Sequence, residues 1–134
     1  MKQQSELPIP RPIVIVIDDD RAVRNSLKFS LELEGFSVHA YGCGGDLLGS
    51  ATAFAGACLV VDQNMPGMTG LDLIARLRDR DVSTPAILIT THPSARLKER
   101  AAKAHVPIIE KPLLGNALVD TIRDVCAHQN SYRP

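Results

Sequence analysis

Three short apolar runs, each stopping abruptly at polar groups, constrain this chain more than any other feature. Ile13-Val14-Ile15-Val16-Ile17 ends at Asp18-Asp19-Asp20, Leu59-Val60-Val61 ends at Asp62, and Ala86-Ile87-Leu88-Ile89 ends at Thr90-Thr91. Unbroken runs of Val, Ile and Leu suit strands covered on both faces, and such strands belong to parallel sheets. Phe36 to Tyr41 alternates instead, as a strand nearer the sheet edge does, and Val106 to Ile109 supplies a short fifth strand. Helix-period segments separate these runs. They extend from Arg21 to about Glu34, from about Asp46 to Ala53, from Gly70 to Arg80, from a Ser94 cap to about His105, and from Leu114 to about Ala127. Five strands alternating with five helices predict an α/β fold, a doubly wound parallel sheet with right-handed crossovers. Alternation leaves the strand order open. If the strands are neighbours, their polar ends meet at one edge, where open α/β sheets bind ligands.

Composition narrows the partners. The 134 residues are enough for one domain with a real core. Fifteen basic and fifteen acidic residues give a formal net charge of zero, which leaves no bulk electrostatic case for direct nucleic-acid binding. No apolar run reaches the ~18 residues of a membrane span, and Met1 to Pro12 lacks a signal-peptide core. The expectation is a cytoplasmic protein with no membrane contact. Residues 1–12, with prolines at 8, 10 and 12, read as a disordered lead-in, residues 13–127 as the folded domain, and residues 128–134 as a flexible tail. Cys43, Cys58 and Cys126 are widely spaced and read as small reduced core residues.

The acids carry the chemistry. Asp20 reads as a helix cap. Asp18, Asp19 and Asp62 would stand as three carboxylates at adjoining strand ends, an arrangement that is unfavourable without a cation. Oxygen ligands with no His or Cys beside them suit a hard ion, and Mg²⁺ fits best. The competing reading is a set of solvated caps, which serves Asp18 and Asp19 better than Asp62, since no helix immediately follows Asp62. Lys111 at the end of the last strand and Thr90 at the end of the fourth add an ammonium and a hydroxyl. Lys111-Pro112 is a candidate cis bond that would aim the lysine inward. A carboxylate nucleophile, a hard cation, a hydroxyl and an ammonium together suit phosphoryl transfer to an aspartate.

The set Val16-Ile17-Asp18-Asp19-Asp20, Val60-Val61-Asp62-Gln63-Asn64-Met65-Pro66-Gly67-Met68-Thr69-Gly70, Ile89-Thr90 and Glu110-Lys111-Pro112 resembles the response regulator receiver domain, the CheY-like superfamily of two-component signalling. The helix start Arg21-Ala22-Val23-Arg24 and the Glu-Lys-Pro-Leu ending are similar to the FixJ-type branch. The resemblance covers roughly Ile13 to Ala127. It implies the sheet order 2-1-3-4-5. It further implies that Asp62 is the phosphoacceptor for a sensor histidine kinase or phosphotransfer protein, and that Asp18, Asp19, Asp62 and the backbone carbonyl of Asn64 hold Mg²⁺. Thr90 and Lys111 would bind phosphoryl oxygens. Thr90 would couple the site to a face made of the fourth helix, the fifth strand and the fifth helix, through which receivers signal and can form homodimers.

Three positions depart from the family pattern. Ile108 stands where an aromatic switch residue is usual, Thr91 where a small Ala or Gly is usual, and His92 where side chains tune dephosphorylation. Taken as a whole protein, the chain leaves no room for an output domain and would act on a downstream partner, not by catalysing a reaction on a separate substrate. The basic residues Arg96, Lys98, Arg100 and Lys103 would offer that partner a cationic helix. The alternatives are a docking module of the same fold that works without phosphorylation, and a flavodoxin-like cofactor binder. Asp18-Asp19-Asp20 disfavours the latter because it would repel a cofactor phosphate.

Overall fold

The computed structural model describes residues 11–50, 56–113 and 115–131. Its elements are β1 (Ile13–Ile17), α1 (Arg21–Leu33), β2 (Ser37–Tyr41), α2 (Gly44–Leu48), β3 (Cys58–Asp62), α3 (Gly70–Asp79), β4 (Ala86–Thr90), α4 (Ala95–Lys103), β5 (Ile108–Glu110) and α5 (Ala117–Ser131). The five strands form one parallel sheet in the order β2-β1-β3-β4-β5. The three apolar runs occupy its centre, and every residue of β3 and β4 is buried. The edge strands β2 and β5 are the most exposed.

Strand alternation divides the apolar side chains between two cores. Ile15, Ile17, Leu59, Val61 and Leu88 meet Leu73, Ile74 and Leu77 of α3. Val14, Val16, Val60, Ile87 and Ile89 meet Leu27 and Leu31 of α1 and Leu118 and Ile122 of α5. Each fully buried Leu or Ile contributes about 2 kcal/mol of transfer free energy. The register places the strand ends level: Ile17 lies beside Tyr41 and Val61, Asp62 beside Ile89, and Thr90 beside Glu110. The chain leaves β1 toward β2 on one side and returns to β3 on the other. The loops after β1 and β3 therefore flank the crevice where the winding reverses.

Side-chain caps start three helices. Asp20 Oδ1 accepts from the backbone amides of Ala22 and Val23, Thr69 Oγ1 from Asp72, and Ser94 Oγ from Leu97. Three helices also end alike, with a left-handed residue and a paired reverse bond: Phe36 N donates to Leu31 O past Gly35, Val82 N to Leu77 O past Asp81, and Val106 N to Ala101 O past His105. Glycine at the first of these ends was readable; Asp81 and His105 at the others carry no such signal. The ending of α4 draws Val106 out of the sheet, so β5 starts two residues later than the sequence suggests.

Other boundaries differ too. Helix α2 starts at Gly44, two residues early, and packs closely there: a Cβ would lie 2.9 Å from Met68 Sδ. Helix α5 starts at Ala117, after Gly115 at φ +67°, and continues to Ser131. Cys58 is fully buried and its thiol pKa is pushed up by burial first and by Cys126 second, whereas Cys43 is exposed and no part of the core. Residues 1–10, the expected end of the second helix at 51–53, Leu114 and residues 132–134 lie outside the described residues.

Candidate functional site

Asp18 directly follows β1 and Asp62 is the last residue of β3, so the pairing of Ile17 with Val61 makes them neighbours. Asp18, Asp19 and Asp62 each present a carboxylate oxygen, all within 4.8 Å of one another. Asp18 and Asp62 are buried while Asp19 is exposed. Asp18 Oδ1 accepts from the amide of Asp20 at 2.9 Å. Its other oxygen, Oδ2, is buried without a hydrogen bond among the described residues. Lys111 Nζ stands 3.5 Å from that oxygen and 3.4 Å from Asp62 Oδ1, within ion-pair range of both acids. Lys111 directly follows β5, the Lys111–Pro112 peptide is cis, and Lys111 N donates to Thr90 O at 2.9 Å.

Burial raises the Asp62 pKa, and Asp18 raises it further against the opposing pull of Lys111 and the Asn64 amide. Burial pulls Lys111 the other way, toward neutrality, but Asp18 and Asp62 outweigh it and its pKa is raised. The cluster thus holds more negative charge than one ammonium balances. An orphaned buried carboxylate oxygen facing two further carboxylates suits a divalent, oxygen-seeking cation.

Asn64 N donates to Asp62 Oδ1 at 3.3 Å, and Asn64 Nδ2 donates to Thr90 Oγ1 at 3.2 Å. Thr90 is 2% exposed, and its hydroxyl donates to the Thr91 carbonyl at 3.3 Å. A cavity of about 290 Å³ opens beside this pair, lined by Thr91, His92, Arg96 and Arg100 among others. His92 is exposed and adopts φ +46°. Ile108 pairs with Leu88 and packs, half-buried, against the core on the α3 side. The structure therefore brings Asp18, Asp19, Asp62, Asn64, Thr90 and Lys111 to one edge and leaves Ile108 outside the cluster, under the same face.

Three contributors escaped the sequence reading. Gln63 is buried; its carbonyl accepts from Met65 N and Gly70 N, and its Oε1 accepts from Leu71 N at 2.9 Å. One residue thereby fastens both ends of the loop after Asp62. Gly70 sits so close to β3 that a Cβ would lie 2.6 Å from Asp62 O and 2.8 Å from Leu88 Cδ1. Arg24 Nη1 donates to Asp18 O at 2.8 Å and steadies the acid-bearing loop. Gly70 was read only as a helix start, and its close approach to β3, like the partners of Gln63 and Arg24, depends on tertiary placement.

The chain matches known proteins along nearly its whole folded length. The sequence model of the response regulator receiver domain matches residues 14–123. The transcriptional regulatory protein FixJ of Rhizobium meliloti (strain 1021) is 34% identical over 116 residues, 86% of this chain and 57% of FixJ. Nodulation protein W of Bradyrhizobium diazoefficiens is 33% identical over 113 residues, 84% of this chain and 50% of that protein. The chain thus spans about half the length of these curated relatives. The crystal structure of FixJ-N superposes with a TM-score of 0.80 at 31% identity, covering 90% of this chain and 97% of the other. A CheY-like receiver from Methanospirillum hungatei JF-1 shares the fold with a TM-score of 0.82 at 23% identity, covering 92% of this chain and 99% of the other. Matching motifs, sheet order and relatives agree: the chain belongs to the response regulator receiver domain family of two-component systems.

Proposed function

We propose that this chain accepts a phosphoryl group on Asp62 from the phosphohistidine of a sensor histidine kinase or phosphotransfer protein, in a Mg²⁺-dependent reaction. The observation that carries the reading is the orphaned Asp18 Oδ2 among three carboxylates, with Lys111 Nζ 3.4 Å from Asp62 Oδ1. An Asp62 oxygen attacks phosphorus as the phosphorus–nitrogen bond breaks, and the electron pair leaves with the imidazole, which takes up a proton. Asp18, Asp19, Asp62 and the Asn64 carbonyl are the protein groups that would hold Mg²⁺. When bound, the ion offsets the repulsion between the carboxylates and the phosphoryl oxygens. Lys111 is placed to pair with a phosphoryl oxygen, and Thr90 to donate its hydroxyl to another.

The receiver unit spans residues 13–127 and works in the cytoplasm. It signals to a downstream protein through the face of α4, β5 and α5, which is also the surface for a homodimer, and it contacts neither nucleic acid nor membrane directly. It takes part in its own phosphorylation and dephosphorylation and is not otherwise an enzyme. Support for the output face comes from the exposed cations Arg96, Lys98, Arg100 and Lys103 along α4. The test is intact mass after incubation with Mg²⁺ and a small phosphodonor. A phosphoryl adduct is expected, absent when the metal is chelated before the donor is added and absent from Asp62→Asn; an adduct that survives Asp62→Asn overturns the assignment.

Ile108 favours a second reading, a docking module indifferent to phosphorylation, because no ring stands at the switch position to follow Thr90. That reading expects equal partner binding with and without a phosphoryl mimic at Asp62. A titration in which affinity depends on the mimic removes it.

A further inference from the structure

Thr90 is engaged on both sides of its hydroxyl. Its oxygen accepts from Asn64 Nδ2 at 3.2 Å and its hydrogen is directed to the Thr91 carbonyl at 3.3 Å. A hydroxyl that donates to the Thr91 carbonyl is not donating to an oxygen on Asp62. To donate to a phosphoryl oxygen on Asp62 it must leave the Thr91 carbonyl. Asn64 is exposed while Thr90 is buried, so the contact is a surface side chain pinning an interior one. Both bonds are longer than the usual optimum and therefore individually weak. Weakness is what a hold that must be released requires.

We infer that the Asn64 side chain is a positioning residue that holds Thr90 in its resting state, so that the brake on switching sits in the loop after β3. The inference rests on the proposed phosphoacceptor reading and extends it. Ile108 gives the brake its importance: an aliphatic side chain, half-buried against the core beside Leu88, offers no hydroxyl or ring that could hold Thr90 from β5. The backbone of Asn64 is tied separately, through its amide to Asp62 Oδ1, so trimming the side chain leaves that tie and the loop fastening by Gln63 in place.

The experiment is a double-mutant cycle on binding of beryllium fluoride, a phosphoryl mimic, in the presence of Mg²⁺, followed by the Thr90 methyl resonance. In the wild type that resonance moves on loading. In Asn64→Ala without the mimic it is expected to lie part-way along the same path, and the mimic is expected to bind roughly fivefold tighter, the worth of one modest hydrogen bond. In a Thr90→Val background, the effect of Asn64→Ala on mimic affinity is expected to fall below about twofold. A general structural role of Asn64 would persist in that background. An unmoved Thr90 resonance in Asn64→Ala, or an undiminished effect beside Val, overturns the inference while the acceptor reading stands. A wild-type protein that does not bind the mimic overturns both.

Discussion

Helices α3 and α4 cover the same face of the sheet and bury very different amounts of themselves. Of the ten residues of α3, five are buried: Gly70, Leu71, Leu73, Ile74 and Leu77. Of the nine residues of α4, one is buried, Ala101. The start of α3 is pressed onto the carbonyl of Asp62 at Gly70 and fastened by Gln63, whereas α4 follows a loop in which His92 adopts a left-handed conformation. A segment with few buried apolar contacts opens at lower free energy than its neighbours. The proposed acceptor is therefore mounted on the rigid side of this face and the proposed output surface on the loose side. The contrast implies that α4 can shift with little disturbance to the carboxylates, which is what a transmitted signal needs.

The largest test of that contrast is truncation in each helix. Leu73→Ala is expected to cost about 3 kcal/mol, and Leu97→Ala, half-buried on α4, about 1 kcal/mol. Urea unfolding of both variants measures the gap, and equal costs would break the comparison. Next is the tight start of α3. Gly70→Ala is expected to cost about 2 kcal/mol and, unlike Leu73→Ala, to perturb the Asp62 resonances out of proportion to stability, because the new methyl meets the Asp62 carbonyl.

A smaller effect, of opposite sign, lies in the acids. The fold raises the Asp62 pKa, so the stability linked to its neutral form is present below the unfolded pKa and is lost as pH rises through the folded one. Asp62→Asn keeps a neutral group at every pH while Lys111 retains Asp18 at 3.5 Å. The variant is expected to match the wild type in acid and to exceed its Tm by a few degrees at neutral pH. Thermal scans across pH without added metal decide this. The smallest effect is expected on the loose side: His105→Gly removes a side chain from φ +59° and is expected to stabilise α4 by about 0.5 kcal/mol. A loss instead would mean that the imidazole has a contact worth keeping.

What could be read before folding follows from the range of each cause. The three central strands were legible because burial on both faces demands unbroken apolar residues. Asp18, Asp62 and Thr90 stood out because each closes such a run, and Lys111 because it follows the short fifth strand. The helix caps at Asp20 and Ser94 are also local and were readable. The ends of α3 and α4 were located to within two residues, but their left-handed closing residues were not foreseen, since Asp81 and His105 adopt that backbone as Val82 and Val106 enter the core. The start of α2 was placed two residues late because Gly44 and Gly45 read locally as chain breakers, whereas both lie in the helix. The sheet order came through the family resemblance, since alternation of elements is compatible with several windings. Gln63, next to the acid, looked like an ordinary loop residue until its side chain was placed against Leu71.

That glutamine makes the segment from Asn64 to Thr69 a closed loop, hooked at its first turn and again where α3 begins. Pro66 and Gly67, at the far side of the loop, are exposed. Met65 and Met68 on either side of them pack against the core, so these two residues form a short exposed tip between neighbours packed on the core. A fluorophore-bearing residue substituted at that tip would sit in solvent a few residues from the carboxylates, placed to report on events there.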